Sequence, residues 1–346
     1  MKAVQMLGPD ELAVQDAPQP HAGPGEVVVE VHSAALNHLD LWVLQGMRAE
    51  EMEFPHTLGS DAAGVVAETG DGVEEWLAGD EVVINPGLNC GACEFCRRGE
   101  HSECVDYGIV GMSRAGTFAE RVSVPARCVA AKPQHLDYEH AAALPLDHLT
   151  SWRMLTTRAG LRSGETVLIH GIGGGVALAS LQWAVLRGAE AIVTSSSDEK
   201  LAKARKLGAT HTINYSHADD VAEAVLEITG GRGVDVAVDA VGAATWPVDL
   251  ASVRRGGRVV ICGVTTGSEA TTDLQALYWN QISVHGSTMG SEEEFRQMLR
   301  ACCVGRLEPV VDSVRDLDQA EEALERMETG QQFGKLVLRV GEAARA

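Results

Sequence analysis

The sequence predicts an α/β protein with two domains, one small and β-barrel-like, the other built on a doubly wound parallel sheet. Three observations carry this. The chain has 346 residues, 45% of them hydrophobic, which is more than one small core accommodates. Its first half is made of short strand-like runs broken by Gly and Pro. From Glu165 onward, strand-like and helix-like runs alternate strictly, the pattern of βαβ units.

The early strands are EVVVEVHSAAL, GSDAAGVVAETG, GDEVVINPG and FAERVSVPARCVAAKP. At YEHAAALPLDHLTSWRML the texture changes to two helical pieces separated by a Pro. ETVLIH is then a buried strand, followed by a glycine run and the apolar helix ALASLQWAVLRG. AIVTSSS, HTINY, VDVAVDAVG, GGRVVICGV and QISVHGS are the next five strands. DEKLAKARKLGA and VAEAVLEITGG are helices stopped by Gly. The tail carries one or two helices and a final strand, FGKLVLRV.

The formal charge of -21 argues against a nucleic-acid partner, which wants a basic face. Only six of the 28 basic residues are Lys, and such an acidic, Lys-poor surface suits a high-salt cytoplasm. An ordinary acidic enzyme encoded by a GC-rich genome is the alternative. No apolar run is long enough to span a bilayer, and MKAVQMLGPDEL lacks the apolar core of a signal peptide, so a cytoplasmic location with no membrane partner is expected.

Half of the eight cysteines stand in NCGACEFCRRGEHSEC, residues 89–104. Cys90, Cys93 and Cys96 are spaced by two residues and Cys104 follows after seven. In a chain read as cytoplasmic, such clustering indicates metal ligands before disulfides. Cys128, Cys262, Cys302 and Cys303 read as small buried hydrophobes.

The run HGIGGGVALAS lies between the first parallel strand and its helix. Glycines there let the backbone approach a pyrophosphate, and the helix N-terminus offers free N–H groups. The strict G-x-G-x-x-G fingerprint fails at Val176; Gly171, Gly174 and Ala177 fit G-x-x-G-x-x-A instead. Gly173, Gly174, Gly175 and Val176 are therefore candidate cofactor contacts. The second strand ends in Ser195-Ser196-Ser197, where an NAD site would place an acid for the ribose hydroxyls. Hydroxyls with Lys200 one turn on favour a 2′-phosphate, hence NADP(H). NAD(H), with Asp198 or Glu199 facing the ribose, is the alternative. Tyr215 is placed to cover the adenine, or else to pack. Val241-Gly242 and Gly263-Val264 sit at strand C-termini, where open α/β sheets bind ligands.

These features, with ALNHLDLWVLQG, LGSDAAGVV, GDEVV, GTFAERV, AAALPLDHLTSWRML and FGKLVL, make the chain similar to the medium-chain dehydrogenase/reductase superfamily over essentially its whole length. The resemblance implies a GroES-like catalytic domain at 1–149, a Rossmann NADP-binding domain at 150–285 and a return to the catalytic domain at 286–346. It implies an active site in the cleft between domains, a dimer or tetramer, and a small-molecule substrate. It implies that Cys90, Cys93, Cys96 and Cys104 hold one structural zinc. Four thiolates close a tetrahedral shell and leave no place for substrate.

Zinc alcohol dehydrogenases of this superfamily bind a second, catalytic zinc. Its three ligand positions fall on Asn37, Ser60 and Leu146, and the proton-relay hydroxyl falls on Leu39. Amide, hydroxyl and alkyl groups make a poor zinc shell. A slip of one residue would bring Asp147 into play, with Asp61 and His38 or His148 as partners. Asn37 in LNHLD resembles zinc-free quinone oxidoreductases and enoyl reductases, where it orients substrate or donates to the oxyanion. Candidate catalytic residues are thus Asn37, Ser60, Asp61 and His148. His38 is implied near the cofactor phosphates and Thr150 behind the nicotinamide, while Asp40 resembles a structural acid. Three functions stay open: NADPH-dependent reduction of activated double bonds or quinones, alcohol or polyol oxidation with a remodelled metal, and non-enzymatic cofactor binding.

Overall fold

The computed structural model describes residues 1–341. The chain divides into two compact units, Met1–Leu149 with Gly290–Ala346, and Thr150–Met289. The expected return at residue 286 falls instead at Gly290. The reason is local: Ser283–Gly286 is the edge strand of the parallel sheet, and Ser287 N–H still donates to Ile261 O, so the chain must clear that sheet first.

In the first unit the main sheet runs in the order Val129–Ala131, Glu81–Ile84, Asp61–Thr69, Glu26–Ala35, Lys335–Arg339, Val311–Asp316, and Arg121–Pro125 also pairs with Glu26–Ala35. A smaller sheet joins Glu11–Asp16, Lys2–Gly8 and His56–Thr57. The Val-rich run of Glu26–Ala35 buries Val27, Val29 and Val31 in one core with Leu58, Phe118 and Leu338, while Glu30 and His32 on its other face are only partly buried. Register decides what meets at its end. Ala35 stands opposite Asp61 on one side and Val337 on the other. The chain therefore leaves Ala35 toward Asn37 between the first residue of one strand and the first residue, Lys335, of the other.

In the second unit six parallel strands follow the order His211–Asn214, Glu190–Ser195, Thr166–Ile169, Val234–Asp239, Val253–Ile261, Ser283–Gly286. This is the doubly wound 3-2-1-4-5-6 arrangement. All six expected strands are present, with the helices Gly175–Leu186, Asp198–Lys206 and Val221–Ile228. The central strands are largely buried and mostly apolar because helices cover both faces, and the buried Asp235 and Asp239 accept backbone N–H groups from Thr166 and Val241. The helix Pro145–Trp152 carries the chain from one unit to the other, after the helix Tyr138–Ala142. Among the described residues no helix is long and apolar enough to cross a membrane.

Candidate active site and metal loop

The four cysteines converge. Their sulfurs all lie within 4.8 Å of one another, with Cys93 Sγ 3.5 Å and Cys90 Sγ 3.9 Å from Cys96 Sγ. Zinc–sulfur bonds of about 2.3 Å in a tetrahedron put neighbouring sulfurs about 3.8 Å apart, so the donor set fits zinc. Backbone amides point at three of the sulfurs: Cys90 N–H donates to Cys104 Sγ (3.3 Å), Cys93 N–H to Cys90 Sγ (3.4 Å) and Cys96 N–H to Cys93 Sγ (3.5 Å). The Cys96 amide draws the Cys93 thiol down to about 6. The loop is tied to the first turn of the helix Glu292–Gly305. Asn89 Nδ2 donates to Glu292 Oε1 (3.0 Å), and Arg127 bonds Asn89 O (2.7 Å) and faces Glu292 (3.5 Å).

In the other unit the glycine run forms a tight turn before the helix Gly175–Leu186. Gly171 and Gly173 have φ of 65° and 129°, which other residues rarely adopt. Gly174 is the N-cap and has no side chain to occupy the helix's free N–H groups, and the first turn carries no acid. That is a fit for a phosphate. Val176 O accepts from Ser151 Oγ (2.9 Å), and Val241 and Gly242 N–H both donate to Asp239 Oδ1, fixing the turn after the fourth strand. A Cβ at Gly263 would meet Ala240 O at 2.8 Å, so this turn also needs glycine, and Val264 beside it is exposed. Ser195 is buried and its Oγ accepts from Ser197 N–H, while Ser196 is exposed. Asp198 accepts from Asn214 Nδ2 (2.7 Å) and Glu199 pairs with Lys203 (2.8 Å). Lys200 is half-buried and Tyr215 about half exposed. Thr150 is buried, its hydroxyl against Met289 Sδ at 3.7 Å.

The first unit brings four of the sequence's candidates together around a residue the sequence reading passed over. Lys335 Nζ lies 2.6 Å from Asn37 Oδ1, 3.1 Å from Asp61 Oδ2 and 2.9 Å from Asp147 Oδ2. Asn37 Nδ2 donates to Asp61 Oδ2 (3.0 Å) and grazes Ala35 O (3.5 Å), and Leu146 N–H donates to Asp61 Oδ1 (2.8 Å). All of Lys335, Asn37, Asp61 and Asp147 are buried. Burial alone would lower Lys335, but Asp147 and Asp61 raise it above its ordinary value, so the ammonium stays charged. Burial raises Asp61. His148 is buried and driven down to about 3 by burial and by Lys335, so it is neutral, and burial lowers the half-buried His38. Ser60 is turned away, donating to Val110 O (2.8 Å).

The amide of Asn37 is committed on both sides, to Lys335 and to Asp61, which leaves little for an oxyanion. The ligand positions do not fit a catalytic zinc: the amide oxygen of Asn37 faces an ammonium, Ser60 faces a backbone carbonyl, and Leu146 offers only its backbone. Among the described residues, the cysteine loop is the only group of three or more His, Cys, Asp or Glu ligand atoms close enough to hold a metal.

Comparison with known proteins agrees with both units. The alcohol dehydrogenase GroES-like domain family matches residues 23–134, and the zinc-binding dehydrogenase family matches residues 175–302. A zinc-type alcohol dehydrogenase-like protein of Schizosaccharomyces pombe is 32% identical over 343 residues, covering 97% of each chain. The chain belongs to the medium-chain dehydrogenase/reductase superfamily, in its zinc-type alcohol dehydrogenase-like branch. A solved NAD-dependent alcohol dehydrogenase superposes with a TM-score of 0.94 at 44% identity, over 99% of this chain and 100% of that one. A crotonyl-CoA carboxylase/reductase solved with NADP gives 0.89 at 26% identity, over 98% and 95%. The protein is thus an NAD(P)-dependent oxidoreductase with a GroES-like domain and a Rossmann domain.

This dehydrogenase/reductase also buries Asp40 beside the lysine cluster. Its Oδ2 accepts from Asn37 N–H (2.7 Å) and it boxes the N-terminus of the helix His38–Leu44. That supports the structural reading of this acid. Burial raises it from 3.8 to about 7. A raised carboxyl binds a proton in the folded state that the unfolded chain has released. Its stabilising share is therefore full below about 4 and is lost as pH rises through about 7. Asp40→Asn is expected to lose less stability than the parent between about pH 4 and pH 8. Urea midpoints across that range check it; an unchanged slope would reject the assignment.

Proposed function

We propose that the protein reduces an activated C=C bond or a quinone with NADPH, and that its only metal is the structural zinc. The supporting observation is the donor set at the three catalytic ligand positions, closed by Lys335. Alcohol oxidation relies on a Lewis acid to stabilise the alkoxide from which hydride leaves. An enone, enoyl or quinone carbonyl accepts charge through hydrogen bonds alone and makes no such demand. NADPH, when bound, supplies the hydride. The chain's part is to cradle the phosphates at Gly173–Val176, to hold Asn37 through Lys335 and to keep His148 neutral. The NADP reading is supported by Ser195, Ser196 and Lys200, and by the engagement of Asp198 and Glu199 with Asn214 and Lys203. Assembly as a dimer or tetramer belongs to the same reading, and light scattering tests it.

A second reading, alcohol oxidation with a remodelled metal, is favoured by the 44% identical NAD-dependent alcohol dehydrogenase. Two measurements separate them. NADPH oxidation with enones or quinones, and about one zinc per chain, support the first. NAD-linked alcohol oxidation that a chelator abolishes without unfolding the protein would replace it with the second. For the cofactor, Ser195→Asp is expected to raise KM for NADPH by about tenfold and lower that for NADH, because a carboxylate repels the 2′-phosphate.

A further inference from the structure

The three oxygens around Lys335 belong to residues at, or immediately after, the positions where the resemblance to zinc alcohol dehydrogenases implies catalytic-metal ligands. Asn37 stands at the first position, Asp61 follows Ser60 at the second, and Asp147 follows Leu146 at the third. An ammonium offers three N–H donors, and here it meets three oxygens at 2.6, 3.1 and 2.9 Å. Two carboxylates and an amide oxygen are also a set of hard donors suited to a divalent cation. The ammonium occupies the point where they converge. Charge follows the same logic: two carboxylates need about two positive charges, and the lysine supplies one while Asn37 and Leu146 donate the remaining hydrogen bonds.

We propose that Lys335 stands in for a metal ion: its ammonium fills the oxygen-lined position among Asn37, Asp61 and Asp147, holds the Asn37 amide in place, and excludes a divalent cation from that position. Lys335 is thus a positioning residue, acting through Asn37. This rests on the reading that the chain carries structural metal only, but it is tested on metal binding rather than on substrate. Failure to reduce enones would sink the function and leave the lysine's role intact.

The test compares the zinc-loaded parent, Lys335→Met and Lys335→Arg in titrations with Co²⁺, followed by metal analysis and visible absorption. The parent and Lys335→Arg are expected to take up no cobalt beyond the cysteine site, which thiolate charge-transfer bands identify. Lys335→Met, stripped of its internal cation, is expected to take a second equivalent without those bands and to rise in Tm as it does so. It is also expected to lose kcat at least tenfold in metal-free buffer, with Lys335→Arg retaining more. A folded Lys335→Met that takes no second equivalent overturns the proposal and leaves Lys335 a structural ion pair. So does a parent that binds the second equivalent. If Lys335→Met does not fold, it is expressed with added Co²⁺. Folded protein with two metal equivalents supports the proposal, and none, where Lys335→Arg folds normally, overturns it.

Discussion

Cys96→Ser is expected to lower folded yield and Tm sharply while leaving turnover per folded molecule close to that of the parent. The four sulfurs form a closed shell, so removing one takes away folding energy and no reacting position. Cys96 is the sulfur from which both 3.5 Å and 3.9 Å neighbours are measured, and it is buried. Structural zinc contributes on the order of 10 kcal/mol in small zinc domains, so loss of one thiolate by a larger domain should cost several kcal/mol. The effect should spread past the loop. Asn89 and Arg127 tie it to the first turn of the helix Glu292–Gly305, in the segment that returns to the first unit. Proteolysis should therefore open residues near 89–104 and near 292 together. Zinc content, Tm and kcat measured on one preparation check this. A variant of parental stability and zinc content with little turnover would show that the loop takes part in chemistry.

Most of the fold could be read from the sequence because its signals were periodic. Buried parallel strands such as Thr166–Ile169 carry short continuous apolar runs, here VLI, and the amphipathic helices between them end at Gly208 or Gly230. The helices His38–Leu44, Trp246–Ser252 and Leu274–Trp279 gave no such signal, being seven, seven and six residues long, under two turns each. The cysteine loop was legible because its ligands are local. The lysine cluster was not. Lys335 and Asn37 are 298 positions apart, and only the pairing of Lys335–Arg339 with Glu26–Ala35 brings them together. A hint existed in FGKLVLRV: one of only six lysines opens the final strand, directly before the apolar run LVL. A lysine there is either at a solvated edge or paired inside, and sequence alone does not choose.

Asp61→Asn is expected to destabilise the first unit by about 3–5 kcal/mol, despite nearly identical shape. The reason is a count of donors. Asp61 Oδ1 accepts from Leu146 N–H, and Oδ2 accepts from Asn37 Nδ2 and from Lys335 Nζ. A carboxylate takes all of these, but an amide has one acceptor and one donor end. With its NH₂ toward Leu146, the substituted side chain sets donor against donor at that backbone amide. Flipped, it sets its NH₂ against both Asn37 and Lys335. Neither orientation satisfies a site from which water is excluded, since Asp61 is fully buried. Lys335 also loses half of its neutralising charge. Asp147→Asn is the control. Within the cluster Asp147 meets only Lys335, so its amide oxygen can turn to the ammonium, and the cost should be about 1–2 kcal/mol. Thermal unfolding should show a fall on the order of 10 °C for Asp61→Asn and clearly less for Asp147→Asn. Equal falls would mean that charge, rather than the convergence of donors on Asp61, governs the cluster. A fall of a degree or two for Asp61→Asn would mean that water enters and satisfies the donors, and the buried clamp around Lys335 would have to be abandoned.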